Sequence, residues 1–282
     1  MASFAAVLPG LAAVAALVFT WVSVAQVSDE LAISEQGQIA DRYDTAVKNL
    51  VDGSVDVRRG AIYSMQSIMT DSPRTQPAVI DMLSKYVRDR ATKKLKTTEK
   101  SPDIQAALYA LGNRNPAQDG NAAIDLRGAY LKEAKLEGMN LTNADLRGTV
   151  LSGANAEKAM LSGADLERAV LTGADLTGAD LSHAEVPKAD LRTAVLADAA
   201  LKNASFGRAD LRNADLTGAN LSGADLTGAD LEGAYLAEVT WTDTTLAGVH
   251  RPEGDLLDHA PGATSQPSPS RTADPPGWTD RS

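Results

Sequence analysis

Apolar residues recur along this chain in two rhythms. From residue 29 to about 113 they fall three and four apart, the spacing of one helix face. Ile39, Tyr43, Val47 and Leu50 form a first stripe, closed by Asp52-Gly53-Ser54. Ile62, Met65 and Met69 form a second, ending at Asp71-Ser72-Pro73, and Val79, Leu83, Tyr86 and Val87 a third. Ser101-Pro102 opens a short fourth helix carrying Ile104, Leu108 and Leu111, with Gly112 as its expected cap. Short amphipathic helices of this kind predict a small stacked or bundled all-α module.

From Leu126 to Leu246 the spacing becomes five, without insertion or deletion. The 25 pentapeptide centres at 126, 131 and onward to 246 are Leu in 21 cases, the exceptions being Ala156, Val186, Phe206 and Trp241. Ala stands two before the centre in 20, and Gly two after it in 12. Two residues apart on an extended chain share a face, but the next Ala lies three beyond the Leu and would point the other way. A bend between each Leu and the next Ala removes the conflict, and Gly tolerates the backbone angles of such a corner. A chain that bends the same way every five residues winds into a solenoid whose coils bond to one another.

The pattern, clean in "GADLTGADLS" at 173–182, resembles the pentapeptide-repeat family, A(D/N)LxG. The resemblance implies a mainly β fold, a right-handed quadrilateral β-helix with four repeats per coil. About six coils would make a rod roughly 30 Å long. Leu centres twenty apart would then stack in buried columns. Ala156 is expected to underfill its column, Pro187 to bulge its coil or forfeit a ladder bond, and Phe206-Gly207 to widen the bore. Open ends of such a coil expose unpaired backbone. The helical module is expected to cap the first coil at Ile124. At the far end Trp241, with Val239 and Thr244 in place of Ala, suits a cap or a homodimer contact.

Residues 1–28 change the picture. Ala2 to Ser28 carry no charge, and Phe4 to Val27 are long enough to span a bilayer. A signal anchor, a signal peptide cleaved near Ala25 and a buried helix are the competing readings, and the anchor fits the length best. Arg42, Lys48, Arg58 and Arg59 then favour a single-pass protein with its C-terminal part in the cytoplasm. Bacterial proteins with a membrane helix and a helical segment ahead of the repeats are similar in layout. Residues 251–282, with six prolines, read as a disordered tail. The expected organisation is an anchor at 1–28, helices at 29–113, the repeat rod at 121–250 and the tail.

The 282 residues carry a formal charge of −10 and no cysteine, which excludes disulfides and thiolate chemistry. His183, His250 and His259 lack metal-ligand spacing, and no nucleophile–base pair or phosphate loop is present. The expectation is a protein that is not an enzyme and takes no cofactor or metal. An acidic chain is a poor partner for nucleic acid backbone.

Candidate binding residues are charged. Every twentieth position just before a centre gives Asp125, Asp145, Asp165, Glu185 and Asp225 on one side of the rod, and Asp190, Asp210 and Asp230 on the next. One reading is an acidic docking surface for a basic protein partner; the other is that Asp or Asn before Leu serves the fold. Arg88, Arg90, Lys93, Lys94 and Lys96 are candidate contacts for lipid headgroups, or a solvated helix end and loop. The favoured function is a membrane-anchored interaction scaffold. The alternatives are a DNA mimic that inhibits DNA gyrase, a role some pentapeptide-repeat proteins have, and an exported surface rod.

Overall fold

The structure, a computed structural model, describes residues 36–93 and 101–250. Four helices precede the repeats: α1 (36–49), α2 (Val55–Asp71), α3 (Gln76–Arg90) and α4 (Pro102–Gly112). Short 3-10 turns follow α2 at Pro73–Thr75 and α4 at Pro116–Gln118. The stripes behave as their spacing requires. Ile62, Met65, Val79, Leu83, Val87 and Leu111 are fully buried, and Ile39, Tyr43 and Val47 pack partly buried against them.

A buried ionic hub ties three helices together. Arg58 of α2 donates from Nε to Asp103 Oδ2 of α4 at 2.7 Å, and Tyr86 of α3 donates its hydroxyl to the same oxygen at 2.6 Å. Arg58 Nη1 also donates to the carbonyls of Asp52 and Gly53. Both charged side chains are about 95% buried. A charge at that depth is tolerated only when fully partnered. Burial opposes ionisation of Asp103, but the hydroxyl and guanidinium outweigh it and hold its carboxyl below the usual range. Burial and the adjacent carboxylate push the Tyr86 phenol up.

From Asp125 onward each pentapeptide is one hydrogen-bonded turn and one bridging residue. Ala129 N–H donates to Leu126 O at 3.0 Å, and this bond recurs along the rod. The third turn residue has φ between +54° and +71° in all 25 repeats; it is Gly in twelve and another residue in thirteen. Positive φ at that position alone defines a type II turn. Twenty-two parallel bridges, from Asp125↔Asp145 to Asp230↔His250, each join residues twenty apart. One coil is therefore four pentapeptides, and the chain is a four-sided solenoid. The mainly β expectation needs correction: among the described residues the bridges do not extend into strands. The turn consumes four of every five residues, which leaves one per side in extended pairing.

The interior is a column of Leu and Ala. Leu131, Leu191 and Leu211 are at most 1% exposed, as are Ala144, Ala164 and Ala184. Each buried Leu contributes about 1.5–3 kcal/mol. The irregular centres cause less disturbance than their sequence suggests. Phe206 is fully buried directly beyond Val186, so a large and a small side chain share the column, and the bridges on both sides of it persist. Pro187 forfeits no ladder bond. It occupies the second turn position, whose N–H is not used between coils, and Lys188 N–H still reaches Gly207 O at 3.0 Å. Proline favours that turn position.

The helices close the first coil. In interior coils the bridging residue donates its N–H to the coil before, as Asp145 does to Ile124 O at 2.8 Å. The first coil has no predecessor, and the helical module supplies a partner on every side. Asp125 N–H donates to Ser84 Oγ, Tyr130 N–H to Ala91 O (2.7 Å), Lys135 N–H to Gln105 Oε1 (3.0 Å) and Asn140 N–H to Gly112 O (2.8 Å). Arg88, Gln105 and Arg114 donate in turn to the carbonyls of Asp125, Lys135 and Asn140. The buried core runs without a break from the helices into the rod. Gly112, expected to cap α4, is its last residue and sits in a close approach: a Cβ there would lie 2.6 Å from the Met139 side chain.

No helix among the described residues is long and apolar enough to cross a membrane, which stands against the single-pass expectation and the cytoplasmic orientation built on it. The stretch on which that expectation rested, 1–28, and the cleavage site near Ala25 lie outside the described residues, as does the expected tail at 251–282.

Replacing Gly112 with Ala should lower stability by about 1–3 kcal/mol, because overpacking against Met139 exceeds the gain in helix propensity. Urea denaturation checks this. A Gly112→Ala variant that proves more stable would contradict the close approach.

Candidate partner-binding surface

Outward side chains inherit the twenty-residue register of the backbone. The residue just before each centre lies on the flank of the rod, and where it is Asp or Asn it does structural work. In all thirteen such repeats, from Asp125 to Asp230, its Oδ1 accepts the N–H of the residue two further on. This Asx turn satisfies the second turn residue, whose N–H the inter-coil ladder leaves unused. At Asp175 and Asp225 the same oxygen also accepts the hydroxyl of the Thr two residues on.

The acidic columns are not bare. On the first side Arg127 forms a two-pronged pair with Asp125, at 2.9 and 2.8 Å, and Arg147 grips Asp145 in the same way. Each arginine also reaches the Asp of the next coil: Arg127 to Asp145 at 3.2 Å and Arg147 to Asp165 at 3.3 Å. Arg88 of α3 opens the series with a 2.8 Å pair to Asp125. On the second side Arg192 and Arg212 grip Asp190 and Asp210 and approach Asp210 and Asp230 at 3.6 and 3.7 Å. Opposite charges therefore alternate up both flanks. Glu185 and Asp225, where the column lacks a neighbouring Arg, have no ion pair among the described residues.

These contacts set the titration. The Arg127, Arg192 and Arg212 guanidiniums hold Asp125, Asp190 and Asp210 below the ordinary carboxylate range. For Asp145, partial burial pushes the other way, but Arg147 outweighs it. The missed signal was Asp-Leu-Arg: it occurs at 125–127, 145–147, 190–192 and 210–212, and each copy is a gripped pair.

The basic stretch divides. Arg88 is spent on the first coil, and Arg90 lies 3.5 Å from Asp103 with its guanidinium over the Tyr86 ring. Lys93 is exposed, and Lys94 and Lys96 lie outside the described residues. Trp241 is half-buried and packs against the end of the core. Among the described residues no group of His, Asp or Glu is arranged to hold a metal ion.

Replacing Asp175 with Asn should leave stability nearly unchanged, since Asn Oδ1 accepts the same turn bonds, whereas Asp175→Ala should cost about 1 kcal/mol in urea denaturation. Equal effects of the two would remove the Asx-turn assignment. Because the folded carboxyls of Asp125, Asp145, Asp190 and Asp210 titrate below their unfolded value near 3.9, their contribution is full above that pH and is lost as pH falls through the depressed folded values. The urea midpoint should therefore drop between pH 6 and pH 3, and by less in Arg192→Gln/Arg212→Gln.

Comparison with known proteins agrees with the repeat. The family model for pentapeptide repeats matches in eight copies, over residues 124–162, 159–196, 194–233 and 224–250. No curated protein matches the chain. Among solved structures, a pentapeptide-repeat protein from the cyanobacterium Cyanothece 51142 is 35% identical, over 32% of this chain and 63% of that one, with a TM-score of 0.32. The chain thus spans less than two thirds of that relative. HetL of Nostoc sp. strain PCC 7120, a pentapeptide-repeat protein involved in heterocyst differentiation regulation, is 34% identical over 46% of this chain and 76% of its own, with a TM-score of 0.18. The plasmid-mediated fluoroquinolone resistance protein QnrB1 is 19% identical over 47% and 77%, with a TM-score of 0.23. The superpositions are partial, and the assignment rests on the repeat itself: twenty-five in-register copies, matched by the family model along the whole rod, make this chain a member of the pentapeptide-repeat family.

Proposed function

We propose that the protein is a non-enzymatic interaction scaffold whose rod presents fixed columns of side chains to a basic protein partner. The coil, on this reading, is the right-handed quadrilateral β-helix that the family resemblance implies. The observation that carries the proposal is the distribution of unpaired charge. In the proximal two thirds of the rod most carboxylates are paired with Lys or Arg, among them every Asp of the Asp-Leu-Arg triplets, while Glu137, Asp175, Asp180, Glu185 and Asp198 have no ion pair among the described residues. From Asn213 to Val249 there are six acidic residues and no Lys or Arg. Asp215, Asp225, Glu238 and Asp243 have no ion pair among the described residues, so their charge is available to steer and hold a cation-bearing surface. The backbone ladder keeps them at fixed spacing, which lowers the ordering cost of binding.

The same geometry disfavours a duplex mimic acting on DNA gyrase. Arg127, Arg147, Arg192 and Arg212 stand between the aspartates, where a duplex would present anions alone.

Affinity capture with the full chain as bait tests the proposal. The variant Asp215→Asn/Asp225→Asn/Glu238→Gln/Asp243→Asn keeps the Asx turns, and its partners should be recovered at least tenfold less than with wild type. Glu137→Gln/Glu157→Gln should retain them. Equal recovery by wild type and the distal variant would reject the acidic third as the recognition surface.

A further inference from the structure

Each coil turns four corners, and the third turn residues of successive coils stack as four ridges along the rod. On one ridge Arg168, Lys188 and Arg208 follow one another at intervals of twenty, exposed and each at φ +58°. On the other three ridges no two successive coils carry charge of the same sign. The cationic column costs the fold more than glycine would. An L side chain at positive φ is strained where Gly is not, and like charges about 4.8 Å apart repel. Glu167 offsets little of this, at 3.8 Å from both Arg168 and Lys188, and Arg208 has no ion pair among the described residues.

The same edge of the rod then changes sign. Beyond Arg208 the ridge continues as Gly228 and Gly248, and its two flanks carry Asp225, Asp230 and Glu232. Asp225 and Glu232 are exposed and have no ion pair among the described residues, and Asp230 approaches Arg212 only at 3.7 Å. A parallel pair of rods joined at this edge would set like charge on like. An antiparallel pair about a two-fold axis beside Arg208 sets the cationic stretch of each copy, 168–208, against the acidic stretch of the other, 210–250, and does so twice.

We propose that two rods associate side by side and antiparallel through this edge, so that the basic surface facing the acidic third is the Arg168–Lys188–Arg208 ridge of a second copy. Charge complementarity decides the occupant. One chain carries both signs on one edge, in stretches of equal length, whereas a long polyanion on the ridge would meet the field of a chain with a formal charge of −10. The inference rests on the reading of the acidic third as a surface for a basic partner, and it names that partner.

Sedimentation equilibrium of the full chain in 50 mM salt tests this. Wild type should dimerise, and its dissociation constant should rise at least tenfold in 500 mM salt, which screens exposed charge. Arg168→Glu/Lys188→Glu/Arg208→Glu and Asp225→Lys/Glu232→Lys should each be monomeric with the wild-type circular dichroism spectrum. The rod already holds Glu133 and Glu238 at the turn position of the first variant, and Lys135 and Lys132 at those of the second. Mixed, the two variants face each other with opposite charge and should restore a one-to-one dimer. A monomeric wild type would overturn the proposal, as would a mixture that stays monomeric. A dimer that neither variant disrupts would overturn it in favour of another contact, such as the Trp241 end. Capture of other proteins that depends on Asp215, Asp225, Glu238 and Asp243, without self-association, would reject the second copy and leave the acidic third as a recognition surface.

Discussion

A turn closed between the carbonyl of one residue and the N–H three further on leaves little backbone to spend. In each pentapeptide the remaining groups point up and down the rod, toward the coils on either side. The rest of the molecule depends on this division. Because it recurs every five residues, four turns close a coil, and the ladder at an offset of twenty follows. The positive φ of the third turn residue is the condition that keeps the bend constant. It is met by Gly at twelve positions and imposed on other residues at thirteen, so the closure of the coil, and not local preference, sets the backbone there.

Such a ladder has ends. At the first coil the protein solves the problem with helices, and the solution is shared between main chain and side chain. Ala91 and Gly112 contribute carbonyls at the ends of α3 and α4, while Ser84 and Gln105 contribute side chains. The buried Arg58–Asp103–Tyr86 hub holds those helices to one another, so a charge cluster distant from the rod determines where the capping groups stand.

The period of five, the four helices and the buried columns could all be read from spacing, because burial imposes its period directly on the sequence. The extent of strand could not: spacing shows that the chain bends, not how many residues the bend consumes. The cap was foreseeable as a need but not in its members, since a carbonyl is offered by every residue alike. Gly112 looked like a helix stop and proved to be a point of contact with Met139. The acidic columns were visible, and the Asx bonds explain why Asp and Asn stand there. Their neutralisation lay in the Asp-Leu-Arg triplets, which are ordinary in isolation and meaningful only once residues twenty apart are neighbours.

The inside and the outside of the rod keep different time. Most pentapeptides fit any side of the bore, because 21 of 25 present Leu and 20 of 25 present Ala. Salt pairs between coils, by contrast, are specific to a quarter of the circumference. Duplicating or deleting a single unit would leave the core continuous while rotating every later column by one face; a unit changed between Arg192 and Asp210 would separate that pair and set new side chains together. Lineages of such rods can therefore reshuffle what they display in one genetic event, with the fold itself nearly indifferent to the change.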